Sequence, residues 1–242
     1  MATTVYRFLG LLLLSAAQAM GQDVVPEKHG VFRIHSPKGQ GTAFVVAEPV
    51  DGLKILATAA HITQSEDAAG NPLKGSMWGG KVFYLTSDFM EKVEGGECVA
   101  QDEKADISLI AIKMERDFTI LPIADPSKWI DQKPNPKYFP SRKLVEMWGY
   151  TSGKWDNTKG YASFLKDDYL IADICCQPGM SGGAVTIDGV YVACVSGGAE
   201  WYPYTDEAGK QKNTTWPGRA GRGSRLKANV DMVVERYKKA GK

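Results

Sequence analysis

Gln177-Pro178-Gly179-Met180-Ser181-Gly182-Gly183-Ala184-Val185 sets one serine between glycines on a tight loop that runs into an apolar strand. Glycines on both sides of a serine let backbone N–H groups turn into one space beside the hydroxyl, where they can stabilise a developing oxyanion. The same string also fits an ordinary Gly-rich turn, so its meaning depends on what surrounds it.

Immediately after it, residues 184–187 and 190–196 are apolar runs joined by Asp188-Gly189. That dipeptide supplies the two positive φ values of a two-residue hairpin turn. Upstream, residues 144–150, 161–165 and 169–175 are further β-branched and aromatic runs. Residues 122–142 break this rhythm with Pro122, Pro126, Pro134, Pro136 and Pro140, which suit neither a helix nor a central strand. Before them stand runs at 31–34, 43–46, 54–58, 81–86, 98–100 and 107–112. Short strands at this spacing imply an all-β sandwich or barrel in two units with a connector between them. Only the end of the chain reads as helix. Leu226, Val230, Val233, Val234 and Tyr237 form one stripe of a 3.6-residue period, with Lys and Arg opposite, and are expected to lie as a lid on the second unit.

Two further segments carry chemistry. Ile55-Leu56-Ala57-Thr58-Ala59-Ala60-His61 is an apolar strand that ends in small residues, against which another backbone can approach, and delivers a histidine. Ala105-Asp106 heads the apolar run Ile107-Ser108-Leu109-Ile110-Ala111-Ile112, and a carboxylate entering a core needs a partner. Alone, His61 fits a satisfied polar residue and Asp106 a strand-start residue. His29 and His35 take that plainer reading.

Together the three segments resemble the chymotrypsin-like (trypsin-fold) serine peptidases, whose order is His, Asp, Ser, over residues 39–198. Gly39-Gln40-Gly41-Thr42-Ala43-Phe44-Val45-Val46 is similar to the family's first core strand, and Val145-Glu146-Met147-Trp148-Gly149-Tyr150 to the strand that opens its second barrel. The resemblance implies two six-stranded antiparallel β-barrels, over 20–122 and 143–225, with a connector over 123–142 and a C-terminal helix over 226–242. It implies Ser181 as nucleophile, His61 as general base and then acid, and Asp106 as the group that orients His61. The N–H groups of Gly179 and Ser181 would form the oxyanion hole. Cys175, Cys176, Ser196, Gly197 and Gly198 would line the substrate pocket, with 195–198 offering an edge to a substrate backbone.

This chain departs from the digestive and clotting branches at two places. Met180 stands where an aspartate precedes their serine, so activation through an ion pair with a new N-terminus is excluded, as in the high-temperature-requirement, staphylococcal glutamyl and some viral proteases. Cys175 stands where some members have an acid at the pocket base, which disfavours cleavage after Lys or Arg. Asp173, by a register slip of two, or Arg219, Arg222 or Arg225, by swinging inward, would shift that preference. Rival classes are a peptidase-like binding protein without turnover and a lipase or esterase; the latter holds its serine on a strand-to-helix elbow in an α/β sheet, and nothing here alternates strand and helix.

The composition agrees with an exported peptidase. Lys plus Arg is 29 and Asp plus Glu 28, a balance that gives no electrostatic pull toward nucleic acid or an anionic membrane. Arg7, the apolar run 8–14 and Ser15-Ala16-Ala17-Gln18-Ala19 form a signal-peptide pattern over 1–19, too short to span a bilayer. Its removal leaves 28 of each charge and predicts a secreted or periplasmic protein acting on peptide or protein substrates. The four cysteines, Cys98, Cys175, Cys176 and Cys194, allow three complete pairings, of which adjacent Cys175–Cys176 is strained. Their spacing offers no compact zinc set, and no metal or other cofactor is expected. Asn213-Thr214-Thr215 matches a glycosylation acceptor, and the aromatic block 199–225 suits either a substrate-facing or a plain surface loop.

Overall fold

A computed structural model describes residues 24–37, 39–66, 72–77, 83–130, 143–174, 176–197, 200–205, 209–216, 218–221 and 223–241. The expected signal segment 1–19 and residues 131–142 of the expected connector lie outside these. After a single helical turn, α1 (Pro26–His29), come β1 (Val31–Ser36), β2 (Gly39–Val50), β3 (Leu53–Thr58), α2 (Ala60–Thr63), β4 (Gln64–Glu66), β5 (Pro72–Met77), β6 (Phe83–Thr86), β7 (Val93–Asp102) and β8 (Ile107–Lys113). The second half holds β9 (Leu144–Thr151), β10 (Lys154–Lys166), β11 (Tyr169–Asp173), β12 (Ala184–Ile187), β13 (Val190–Cys194), β14 (Glu200–Thr205), β15 (Gln211–Trp216), β16 (Gly218–Gly221) and α3 (Gly223–Ala240).

The first half closes into a six-stranded antiparallel barrel in the order β1-β2-β3-β8-β7-β6. The second is a curled six-stranded sheet, β13-β12-β9-β10-β11-β16, whose edge strands approach without a hydrogen-bonded ladder between them among the described residues. At its β12–β13 hairpin Asp188 and Gly189 have φ of 51° and 73°, the positive pair expected from Asp-Gly.

Strand β2 is buried without a break from Gly41 to Val46, and β8 from Ile107 to Ile112. One face explains only half of this. Phe32, Ile34, Leu56, Phe83, Ile110 and Ile112 fill the first barrel. The alternate residues Val31, Phe44, Ile55, Ala57, Leu109 and Ala111 pack outward against Trp148, Tyr150 and Tyr191 of the second half. A strand buried on both faces reads as a continuous apolar run.

The same interfacial core receives Leu226, Val230 and Val233 of α3, with Val234 and Tyr237 partly buried beside them. Complete burial of Leu226 or Val233 contributes about 1.5–3 kcal/mol each. The helix therefore touches β2, β7 and β8 of the first barrel as well as β13 of the second, which corrects its expected role as a lid on the second unit alone. It begins at Gly223, earlier than expected, where a Cβ would lie 2.2 Å from the Val192 carbonyl and 2.3 Å from that of Ala124. The connector starts as a short ladder onto β13: Tyr191 N–H donates to Pro122 O and Ala124 N–H to Tyr191 O, both at 2.9 Å.

Candidate active site

Strand β3 stops at Thr58, and buried Ala59 and Ala60 lead into α2, which carries His61 with its side chain 37% exposed. Asp106 approaches from the other side of the barrel on a turn after β7. Asp102 Oδ1 accepts the Ala105 N–H at 3.2 Å, Glu103 O accepts the Asp106 N–H at 3.3 Å, and Asp106 takes φ of 53°, a left-handed conformation that aspartate tolerates. This turn swings the carboxylate onto α2. Oδ1 accepts the His61 backbone N–H at 2.9 Å, and His61 Nδ1 lies 2.9 Å from Oδ2. The Asp106 carbonyl also accepts the Ala60 N–H at 3.1 Å.

A third donor completes the carboxylate: Ser196 Oγ–H to Oδ2 at 2.5 Å. Ser196 was expected on the pocket wall, and its hydroxyl instead turns inward to Asp106. An ionised carboxylate only accepts, so Nδ1 carries the histidine's proton and Nε2 is left as an acceptor.

The serine loop is held by its glycines and by Thr42. Gly182 has φ of 83°, and a Cβ there would lie 2.2 Å from Thr42 O, 2.2 Å from Thr58 Oγ1 and 2.8 Å from Ala59 N. This is the close backbone approach that the small residues before His61 permit. Gly183 sits equally tightly on the Trp148 carbonyl, at 2.1 Å. Thr42, fully buried, donates its hydroxyl to Gly179 O and accepts from Tyr150 N–H, both at 2.9 Å, while its own N–H donates to Ser181 O at 2.8 Å and its carbonyl accepts Thr58 Oγ1 at 2.7 Å. Sequence reading took Thr42 only as part of a core strand; a lone polar residue inside that apolar run was the available signal.

The Ser181–Gly182 peptide fixes two sides of the site. Its C=O accepts from Thr42 on β2, and its N–H donates to Val195 O beyond β13 at 2.6 Å. In a trans peptide these groups point in opposite directions, so the start of β2 and the Val195–Gly197 edge flank the serine on opposite sides. On the latter side, a Cβ on Gly197 would stand 3.6 Å from Ser181 Oγ and 3.7 Å from Cys176 Sγ. The N–H groups of Gly179 and Ser181 donate to no acceptor among the described residues. No hydrogen bond joins Ser181 and His61 among those residues either.

Met180 is buried in the second core, where an acid would have been costly. Arg225 does not swing toward the serine; it binds Asp102. Asp173 ends β11, exposed and paired with Tyr161. Cys175, Gly198 and Arg222 lie outside the described residues, as does the side chain of Arg219. Cys98, Cys176 and Cys194 form no disulfide with one another. No cluster of metal-ligating side chains and no helix able to cross a membrane occurs among the described residues. The aromatic block, expected as a loop, contains the β14–β15 hairpin, in which Asn213 pairs with Pro203.

A family model described as a trypsin-like peptidase domain matches residues 41–192. No curated relative matches the chain. Among solved structures, the human pathogenic astrovirus serine protease is similar over 84% of this chain and 94% of its own, at 17% identity and a TM-score of 0.51. The Rv3671c protease in its inactive form is similar over 85% and 89%, at 15% identity and a TM-score of 0.52. At such identities the likeness is one of fold.

Proposed function

We propose, from the premise that this chain belongs to the trypsin-like peptidase domain family and is a serine-type peptidase, that it is an endopeptidase working through His61, Asp106, Ser181 and a covalent acyl-enzyme. Ser181 Oγ attacks the scissile carbonyl while His61 Nε2 takes its proton, and His61 then returns that proton to the departing amine. Water, activated by the same nitrogen, releases the acyl group. Asp106 orients the imidazole and stabilises its cation, and the N–H groups of Gly179 and Ser181 receive the oxyanion.

The observation that supports this best is the set of three donors on the Asp106 carboxylate, which leaves Nε2 of a half-exposed histidine as the acceptor. The acyl half of the substrate runs along Val195–Gly197 by β-augmentation, with its side chain near Cys176 and Gly197. Cys176 and Gly197, the described residues of that surface, carry no charge, so uncharged residues are preferred before the cleaved bond. The residue 1–19 pattern supports cleavage of a signal peptide and export of the mature protein, secreted or periplasmic.

The test is hydrolysis of a mixed peptide library with and without chelator. Cleavage after uncharged residues, insensitive to chelator and lost in His61→Ala, supports the reading. Chelator-sensitive cleavage restored by zinc overturns it. The rival reading, a peptidase-like binding protein without turnover, draws on the lack of a Ser181–His61 hydrogen bond; such bonds often tighten only with substrate present, and an uncleaved library would favour it.

A further inference from the structure

A cavity of about 240 Å³ opens beside the serine loop, lined by Arg33, Gln40, Gly41, Tyr150, Gly153 and Gly179 among others. It lies along the start of β2, the side of Ser181 opposite the Val195–Gly197 edge, as the two directions of the Ser181–Gly182 peptide require. With the acyl half of a substrate on that edge, the departing half leaves toward this cavity.

Among the described residues Arg33 is the one charged residue in its lining, and its guanidinium is fixed before anything binds. Nε–H donates to Thr86 Oγ1 at 3.3 Å, one Nη1–H to the Gly153 carbonyl and one Nη2–H to Asp88 Oδ1 at 2.7 Å. The Tyr150 ring supports it at 4.9 Å. Three of its five N–H groups are thereby used, leaving one on each Nη without an acceptor among the described residues. Asp88 does not line the cavity and its side chain is 67% exposed, so water screens its pairing with Arg33. The Arg33 side chain is only 19% exposed. A pre-positioned, largely shielded guanidinium with spare donors recognises a carboxylate at little entropic cost.

We propose that this cavity is a leaving-group subsite in which Arg33 selects an acidic side chain within the first two residues after the cleaved bond. The inference rests on the peptidase reading above. It is tested with peptides that share one acyl half and carry Glu, Gln or Lys at each of those two positions. At one position the wild-type kcat/KM for Glu should exceed that for Lys by about tenfold, the scale of a charge-assisted hydrogen bond, and the ratio should shrink with salt. Arg33→Gln should bring it near one, Arg33→Glu should invert it, and Arg33→Lys should keep its sign. Each ratio is internal to one enzyme, so a general loss of folded protein does not move it. A flat wild-type ratio at both positions, or one that survives Arg33→Gln, overturns the subsite. A fluorogenic amide with no residue after the cleaved bond separates the two readings. If it is cleaved while the ratio is flat, only the subsite falls; if neither it nor any peptide is cleaved, the peptidase reading falls and the subsite with it.

Discussion

Arg225, in the first turn of the C-terminal helix, grips Asp102 through two hydrogen bonds of 2.7 Å, and Asp102 opens the turn that ends four residues later at Asp106. The helix thus holds the base of the turn whose left-handed last residue faces His61. Arg225→Ala should lower stability by about 1–2 kcal/mol, the scale of a partly exposed charge-assisted pair. It should also lower kcat more than it raises KM, because the substrate surfaces are untouched while the His61 orientation loosens. Arg225→Lys should recover part of both. Urea unfolding together with steady-state kinetics checks this, and a change confined to KM would contradict it.

Stability should fall on acidification in two separate windows. Burial lowers the His29 pKa below its ordinary 6.5, a shift that the Val25 hydrogen bond opposes and the Lys28 charge reinforces. The unfolded chain therefore binds a proton that the native state excludes. The contribution is complete above 6.5 and is lost as pH falls below it toward the lowered native value. For Asp102, burial pushes the carboxyl up, but hydrogen bonds from Arg225 and Ala105 outweigh it and hold the group below its ordinary 3.8. That stabilisation is present above 3.8 and disappears as pH falls through the native value. Urea midpoints measured from about pH 8 to about pH 5 should report the histidine window alone. His35, also held below 6.5 by burial and by the Arg33 and Lys92 charges, contributes in the same window, so His29→Gln should reduce that slope without abolishing it, while leaving the more acidic one.

Ser196→Ala removes the shortest of the three donors to Asp106. The carboxylate keeps its two contacts to His61 but loses one lone pair's partner. A decrease in kcat on the order of tenfold, with KM little changed, is expected from one hydrogen bond to a charged group. A pure KM effect would return Ser196 to the pocket wall.

Two glycines with the same φ of 83° separate strain from crowding. Gly153→Ala meets no atom within 4 Å, so only the left-handed backbone opposes it, at about 1 kcal/mol. Gly182→Ala drives a methyl group to 2.2 Å from the Thr42 carbonyl and the Thr58 hydroxyl, and should destabilise by more than about 3 kcal/mol. Thermal unfolding of the pair checks the difference.

Strands with one or both faces in a core were legible because their apolar runs are long: β8 and β12 start where the sequence changes character. β4, β5, β15 and β16 were missed because polar or small residues such as Gln211, Lys212 and Asn213 carry no such signal, and their pairing is a backbone property; β14 was missed because its aromatics, broken by Pro203, read as a surface loop. The polar first half of β10, from Lys154 to Gly160, was missed for the same reason, although it pairs with β9 from Thr151 back to Val145. At the site, His61 and Asp106 were legible as residues that a strand end and a strand start must place. The inward turn of Ser196 was not, since side-chain direction just past β13 depends on the local path of the chain. Nor was the bond from Arg225 to Asp102, which joins residues 123 apart through tertiary packing.

The most direct measurement is fluorophosphonate labelling of the mature protein, read by intact mass and by peptide mapping. One adduct on Ser181, lost in Ser181→Ala and strongly slowed in His61→Ala, is the expected result, because only an activated serine beside oxyanion donors reacts readily. No adduct on the folded wild type, or an adduct that persists undiminished in Ser181→Ala, would contradict a nucleophilic Ser181.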